Sequence, residues 1–581
     1  MNRIFEIKGR SYRFDFDEPV NIDFYQESEE NGVAFFKVKF AWEKDCLPKK
    51  ITLSYSLPCR NMYNMWDAMS RNRHLAFSGE ATESYIAFGM PLKSLVSKNG
   101  NNAYLLSVSD VKSPLRLFFR AREKNATIDV SLDFFAAQTG PFAEYEATIR
   151  VDTREIPFDL AVKDAYNWFT TLGYKNASAP DLAKRPMYST WYSYGQALKA
   201  TDVLRECREA VKYGMKTVII DDAWQTDTPD QMYKFCGDWK PVKRKFPDMA
   251  GMVEKLHEMG IKVMLWYSVP FMGYGAKNLK KFEGMCLRDV PNIYSYVLDP
   301  RYKKVRDFLI KTYTDAVREW KLDGLKLDFI DRFKTNGEVS PEMDFVSVED
   351  AVERLLKDLR DELYKINPEL LIEFRQPYFG PIITTYGNMI RVWDCPLDGV
   401  TNKNSTLNLR LCAPECAVHS DMIYWHKEES PEGAAVQLLC AIFSVPQIST
   451  RMKELTPEQK LVLKNYLKFW NEHRDTLMDG DLRVRFAENG YGYSSSVLGG
   501  EMIALAATYT ELDIKQGIED AYLFNISDRE SVFVTVNDAQ KYDYEVFDCM
   551  GRRVTKRRLI RSTLSKIAVP IGGMLKVSFH K

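Results

Sequence analysis

Apolar and polar side chains alternate along the first part of the chain in short stretches. Phe35-Phe36-Lys37-Val38-Lys39-Phe40-Ala41-Trp42, Ile51-Thr52-Leu53-Ser54-Tyr55 and Thr127-Ile128-Asp129-Val130-Ser131-Leu132 carry this pattern. A period of two marks strands with one face in a core. Between two such segments lies Ser97-Lys98-Asn99-Gly100-Asn101-Asn102, whose Asn-Gly step is a hairpin or loop signal. Residues 1–165 are therefore expected to form an N-terminal β-sandwich.

From about Tyr188 apolar runs alternate with helical periodicity. The strand-like runs are Tyr188–Trp191, Thr217–Ile220, Ile261–Trp266, Gly324–Leu327, Leu370–Phe374, Met389–Trp393, Ala417–Ser420 and Val445–Ile448. Segments such as Val203–Val211 and Val305–Trp320 have helical spacing. Eight strand–helix units over residues 166–480 predict an α/β fold built on a central (β/α)8 TIM barrel rather than a doubly wound sheet. A helical stretch from Glu458 to Arg474 is followed by renewed alternation, as in Ser531–Val536. Residues 481–581 are expected to form a small C-terminal β-domain.

The 581 residues carry 80 Lys plus Arg against 80 Asp plus Glu. That balance gives no support to a nucleic-acid or membrane-surface partner. No run approaches a membrane span, and the charged start Met1-Asn2-Arg3-Ile4-Phe5-Glu6 does not resemble a secretory leader. Ten scattered cysteines are too sparse for a disulfide scaffold, so the expected location is cytoplasmic. Cys412, Cys416 and His419 form the one cluster resembling metal ligands, but a second Cys pair is missing. Neither a metal nor a cofactor is expected.

In such barrels the active site lies at the C-terminal ends of the strands. Three runs end there in carboxylates: Asp221 and Asp222, Asp328, and Asp394. Helix capping is the structural alternative for any one of them. Two carboxylates facing across a pocket are the equipment of glycoside hydrolysis. Strand alternation puts Lys326 on the face of Asp328, which favours an ionised nucleophile. It puts Arg391 on the face opposite Asp394, which is expected to leave that carboxylate freer to hold a proton.

Gly214-Met215-Lys216-Thr217-Val218-Ile219-Ile220-Asp221-Asp222-Ala223-Trp224, then Gly237-Asp238-Trp239 and Phe246-Pro247, resemble the melibiase family of α-galactosidases, glycoside hydrolase family 36. Asp323-Gly324-Leu325-Lys326-Leu327-Asp328 is similar to that family's Lys-x-Asp nucleophile strand. The resemblance covers about residues 185–480. It implies retaining removal of terminal α-galactose from oligosaccharides, with Asp328 as nucleophile and Asp394 as acid/base. It further implies that Asp221 and Asp222 bind sugar hydroxyls and that Lys326 helps hold the ring. Trp191, Trp224 and Trp266 are candidate apolar walls, and Arg375 and Arg391 are candidate substrate contacts. Family members often assemble into homo-oligomers.

The chain departs from the family at Ile372-Glu373-Phe374-Arg375-Gln376-Pro377-Tyr378-Phe379-Gly380, where many members carry a Cys- and Gly-rich loop. Its Arg391-Val392-Trp393-Asp394-Cys395-Pro396 matches the family's sixth strand only loosely, which keeps Asp398 as the second acid/base candidate. His419, His426 and Asp421 are assigned structural or supporting roles. The competing functions are an α-N-acetylgalactosaminidase, a galactosyl transferase on the same machinery, and a carbohydrate-binding protein without catalysis.

Overall fold

The computed structural model describes residues 1–69, 81–229, 231–335, 339–536, 541–560 and 563–579. Strands from Asn2 to Asp152 form two six-stranded antiparallel sheets. The strand Ile51–Pro58 buries Ile51, Leu53, Tyr55 and Leu57 and turns its alternate residues outward. These side chains join Phe14, Phe24, Phe40 and Val130 in one core between the sheets. The polar run expected to turn does so. Leu92–Ser97 and Asn102–Val108 pair as an antiparallel hairpin, with Gly100 at a φ of 76° that a Cβ would strain.

All eight expected barrel runs form parallel strands. They are Met187–Ser189, Thr217–Ile220, Lys262–Ser268, Gly324–Asp328, Leu371–Arg375, Met389–Arg391, Ala417–His419 and Gln447–Ile448. The register runs from Met187 beside Thr217 through Ser268 beside Asp328 to Arg391 beside His419. Met187 beside Gln447, with bridges from His419 to Val445 and from Ile423 to Ile448, joins the last strand to its neighbours on both sides.

The outer helices obey the same residue logic. Lys303–Trp320 buries Val305, Leu309, Tyr313, Val317 and Trp320 along one face. Ser347 caps Val348–Ile366, and Thr456 with Gln459 forms a capping box on Pro457–Glu472. One feature has no counterpart in the sequence expectations. Phe271–Gly273, Cys286–Val290 and Ser295–Leu298 make a small antiparallel sheet between the third barrel strand and its helix. Its strands are three to five residues long, too short for periodicity to register.

Strands from Asp481–Arg485 to Met574–Phe579 form a seven-stranded and a three-stranded sheet over a separate core. The three parts of the chain meet at one buried node. The Trp66 indole N–H lies 3.0 Å from Asn408 Oδ1, on the helix Gly399–Cys412, and 2.6 Å from the Tyr491 hydroxyl. The Tyr491 hydroxyl in turn donates to the same Asn408 oxygen. No helix among the described residues is long and apolar enough to cross a membrane.

The fourth strand begins with glycine because there is no room for a side chain. A Cβ on Gly324 would sit 2.6 Å from Leu371 Cβ, 2.7 Å from Leu371 O and 2.8 Å from Met264 Cγ. Gly324→Ala is expected to destabilise the protein by about 1–3 kcal/mol through overpacking. Urea unfolding measures this, and an unchanged midpoint would show that the neighbouring strands yield freely.

Candidate active site

Asp328 ends the fourth barrel strand, fully buried. Its Oδ1 accepts from Arg375 Nε at 3.0 Å, from the Phe329 backbone N–H at 2.9 Å and from the Tyr378 hydroxyl. Its Oδ2 accepts from the Trp266 indole N–H at 2.8 Å. Burial alone would raise the carboxyl pKa. The Arg375 and Lys326 charges and the hydrogen bonds from Tyr378 and Trp266 outweigh it, and the pKa lies below the ordinary carboxylate value. The group is therefore an anion at neutral pH, with one oxygen crowded by three donors and the other bonded to one. Phe329, the next residue, sits at a φ of 69°, a conformation costing a non-glycine residue about 1 kcal/mol. Its ring packs on Tyr233 and Phe271 and lies under the Arg375 guanidinium.

Asp394 lies across Arg375, its side chain 48% exposed. Arg375 Nη1 is 3.8 Å from Asp394 Oδ2, so one guanidinium faces both carboxylates. The sequence expectation for Arg391 fails here. Arg391 Nη2 donates to Asp394 Oδ1 at 2.8 Å rather than pointing away. The strand stops at Arg391, and beyond it the chain turns, so strand alternation no longer governs residue 394. Burial pushes the Asp394 pKa up, but Arg391, Arg375 and Lys326 together hold it well below the usual range. Asp394 is thus a compensated anion. Asp398 caps the helix Gly399–Cys412, accepting from the Thr401 backbone N–H at 3.1 Å and the Thr401 hydroxyl at 2.7 Å.

Lys326 pairs with Asp221 at 2.6 Å, both buried, and reaches Asp328 only through its charge. Asp222 is held by Gln225 Nε2 at 2.6 Å, Gln196 Nε2 at 2.8 Å and the Thr226 hydroxyl at 3.0 Å. Burial lifts its pKa to about 6 against those hydrogen bonds. Trp266 touches the Asp328 carboxylate directly. Trp224 is fully buried, donates to the Trp266 carbonyl at 3.0 Å and packs against Trp239, Tyr267 and Trp320. Trp191 is half-buried at the start of the short helix Trp191–Tyr194, just past the first strand. Tyr378 was not singled out from the sequence. The available signal is an aromatic hydroxyl three residues beyond a strand that ends in Arg375.

No family model matches the chain. Over 126 residues it is 29% identical to an α-galactosidase of Lactobacillus acidophilus, covering 21% of this chain and 17% of that protein. Over 146 residues it is 25% identical to α-galactosidase 2 of Pediococcus pentosaceus, covering 24% and 20% respectively. The matched stretches thus span about a fifth of the length of each curated relative. Likeness of structure extends much further. A family 36 α-galactosidase from Geobacillus stearothermophilus, solved in complex with raffinose, superposes with a TM-score of 0.63 at 14% identity. The match covers 100% of this chain and 87% of that one. The α-galactosidase from Lactobacillus brevis gives 0.65 at 12% identity, covering 100% and 83%. The chain has the fold of the family 36 α-galactosidases.

Below the carboxylates, the barrel holds a buried polar layer. Gln447 Nε2 donates to Glu373 Oε2 at 2.6 Å and lies 3.3 Å from His419 Nδ1. His419 Nε2 faces the Ala183 carbonyl at 2.8 Å, which assigns the proton to Nε2. Burial depresses the His419 pKa to about 3, so the ring is neutral. Arg391 bonds the Asp421 carboxylate, which also accepts from the Tyr192 hydroxyl at 2.9 Å and the Cys395 backbone N–H at 2.6 Å. The Cys416 thiol lies on the carbonyls of Gly387, Thr384 and Ala177, and His426 is exposed. Among the described residues no cluster of His, Cys, Asp and Glu is arranged to hold a metal ion.

Glu373 supplies a test of this layer. Burial raises its pKa from 4.5 to about 7, against the lowering charges of Lys326 and Arg391 and the Gln447 hydrogen bond. Between those values the folded chain binds a proton that the unfolded chain has released. Stability from this group is therefore full below about pH 4.5 and falls as pH rises towards 7. At ~1.4 kcal/mol per pH unit the loss is on the order of 3 kcal/mol. Glu373→Gln keeps an acceptor for Gln447 without the charge. In denaturant titrations at pH 5 and pH 8, the variant is expected to lack that decline. An identical pH dependence in both proteins would mean that Glu373 is already ionised at pH 5.

Proposed function

We propose that the protein is a retaining glycoside hydrolase that removes terminal α-linked galactose from oligosaccharides by double displacement. The observation that carries this reading is the asymmetry of Asp328. The carboxylate is buried yet held ionised, with Oδ1 committed to three donors and Oδ2 to one. Asp328 Oδ2 attacks the anomeric carbon, and the bond to the departing sugar oxygen breaks as Asp394 gives that oxygen a proton. A water then attacks the glycosyl–enzyme ester, Asp394 takes the water's proton, and galactose leaves with Asp328 restored. Both related α-galactosidase sequences and the raffinose-bound structure support galactose as the sugar.

Arg375 acts on both carboxylates, stabilising the Asp328 anion and facing the site of proton transfer. Lys326 and Asp221 form a fixed pair that meets the sugar hydroxyls, with Asp222 behind them, and Trp266 and Trp191 furnish apolar surface, whereas Trp224, expected as a wall, is core, wholly buried among Trp239, Tyr267 and Trp320. Arg391 orients Asp394. The three-part division at residues 165 and 480 separates substrate-binding barrel from flanking β-domains. Ten unpaired cysteines suit a reducing, cytoplasmic compartment, and the enzyme is proposed to work without metal or cofactor, as a homo-oligomer.

Hydrolysis of a panel of aryl α-galactoside, α-N-acetylgalactosaminide and α-glucoside tests the reaction class. Turnover is expected on the galactoside, with the first-formed product keeping the α configuration by proton NMR. Asp328→Asn is expected to lower it at least about a thousandfold while the protein stays folded by circular dichroism. A β-configured first product, or retained turnover in Asp328→Asn, would remove the double-displacement reading.

Asp394 is held as an anion by Arg391 and Arg375, so its acid form is the scarce species at neutral pH. Substrates with poor leaving groups are therefore expected to lose kcat/KM as pH rises, whereas α-galactosyl fluoride, which needs no proton, is not. Asp394→Ala is expected to keep most fluoride turnover, lose oligosaccharide turnover and recover rate with azide. If Asp398→Ala shows that behaviour instead, the acid/base belongs to Asp398.

A further inference from the structure

Arg375 and Tyr378 both bond Asp328, and between them stands Gln376, wholly buried. Its main chain touches both sides of the site. The Gln376 N–H donates to the Arg391 carbonyl at 2.9 Å, and the Gln376 carbonyl accepts from Arg375 Nη1 at 2.9 Å. The side chain reaches in two further directions. Oε1 accepts from the Trp393 backbone N–H at 3.3 Å, one residue before Asp394. Nε2 donates to the Ala68 carbonyl at 3.4 Å, in the N-terminal sandwich. An N–H on one side and a carbonyl on the other assign the two ends of the amide.

The main chain ahead of Asp394 depends on this side chain. The sixth strand ends at Arg391, and the Val392 N–H still bonds the His419 carbonyl of the neighbouring strand at 3.1 Å. At Trp393 the acceptor is no longer a strand but Gln376. The far end of the clamp is held in turn. Ala68 is buried, and the carboxylate of Asp67 beside it accepts from buried Lys93 at 3.3 Å, the Thr82 hydroxyl at 2.7 Å and the Met69 N–H at 2.9 Å. The sandwich meets the loops of the site twice more. The Tyr85 hydroxyl donates to the Asp331 carbonyl at 3.1 Å, three residues past Asp328. A Cβ on Gly380, two residues past Tyr378, would sit 2.5 Å from the Gly89 carbonyl.

We propose that Gln376 is a positioning residue: its side chain ties the main chain ahead of Asp394 to the N-terminal sandwich and so fixes the spacing of the two catalytic carboxylates. The role rests on the α-galactosidase reading, in which Asp328 and Asp394 flank one glycosidic bond at a set separation. The amide itself touches no substrate. Arg375 is bonded by the main chain of residue 376, so replacing the side chain loosens the Asp394 side and leaves the nucleophile in place. Proton transfer to the departing oxygen is the step that suffers.

The test compares raffinose with α-galactosyl fluoride, which needs no proton. Gln376→Met keeps the length of the side chain and loses both hydrogen bonds. Its kcat/KM on raffinose is expected to fall about 10- to 100-fold, the scale of a misplacement of about 1 Å. On the fluoride the loss is expected to stay within about threefold. Gln376→Glu, neutral at pH 5 because it is buried, restores an acceptor and a donor and is expected to recover raffinose turnover there. At pH 8 its ionised carboxylate opposes the Ala68 carbonyl, and raffinose turnover relative to wild type is expected to drop while fluoride turnover holds. If Gln376→Met does not fold, that pH contrast decides alone. Equal losses on both substrates in either variant, or no raffinose loss in Gln376→Met, would overturn the role. A wild-type enzyme inactive on both substrates would overturn the α-galactosidase reading itself.

Discussion

A carboxylate buried at the end of a barrel strand stays ionised only if a cation is buried with it. Asp328 meets that condition through Arg375, whose Nε lies 3.0 Å from Oδ1. Much of the catalytic end of the barrel follows from this pairing. The guanidinium needs its own cover and finds it on the rings of Phe329 and Tyr378. Tyr378 then turns its hydroxyl onto the same carboxylate oxygen. The outer edge of Arg375 faces Asp394, which Arg391 also holds, while Lys326 is matched with Asp221. Cations and anions thus alternate around the strand ends. Each charge is compensated locally, and removing one member would leave another buried and alone.

The barrel was legible in the sequence because each of its strands is a short apolar run bounded by turn or polar residues, and those runs recur at helix-length spacing. The carboxylates were legible for a related reason: aspartate is rare inside strands, and here it stands where strands stop. What escaped were relations between side chains on separate loops. The donors around Asp222 come from Gln196, Gln225 and Thr226, in irregular segments with no period to read. Tyr378 lies past a strand end, where alternation gives no direction. The position of Arg391 relative to Asp394 was read wrongly because extended geometry was carried three residues too far. Residue spacing fixes which side chains share a face only while the backbone remains regular.

Identity of 12–14% with structures of the same fold shows how little of the sequence that fold specifies. Apolar strands of suitable length and register suffice to close the barrel. Polar residues inside it are under a stricter rule, since each buried donor or acceptor requires a partner. Gln447 bonds Glu373 Oε2 and faces His419 across three strands, while the other Glu373 oxygen looks onto Arg391 at 3.9 Å and ties this layer to the charged one above it.

The node of Trp66, Asn408 and Tyr491 brings residues of the N-terminal, barrel and C-terminal parts of the chain into the one core that fills the barrel. One indole proton and one phenol are shared by the sandwich, a barrel helix and the C-terminal sheets, with no water route to either. Separating any part would strand a donor or acceptor in an apolar wall. The boundaries drawn along the chain therefore do not coincide with a clean separation in space: an exchange of either flanking part would have to rebuild this junction as well.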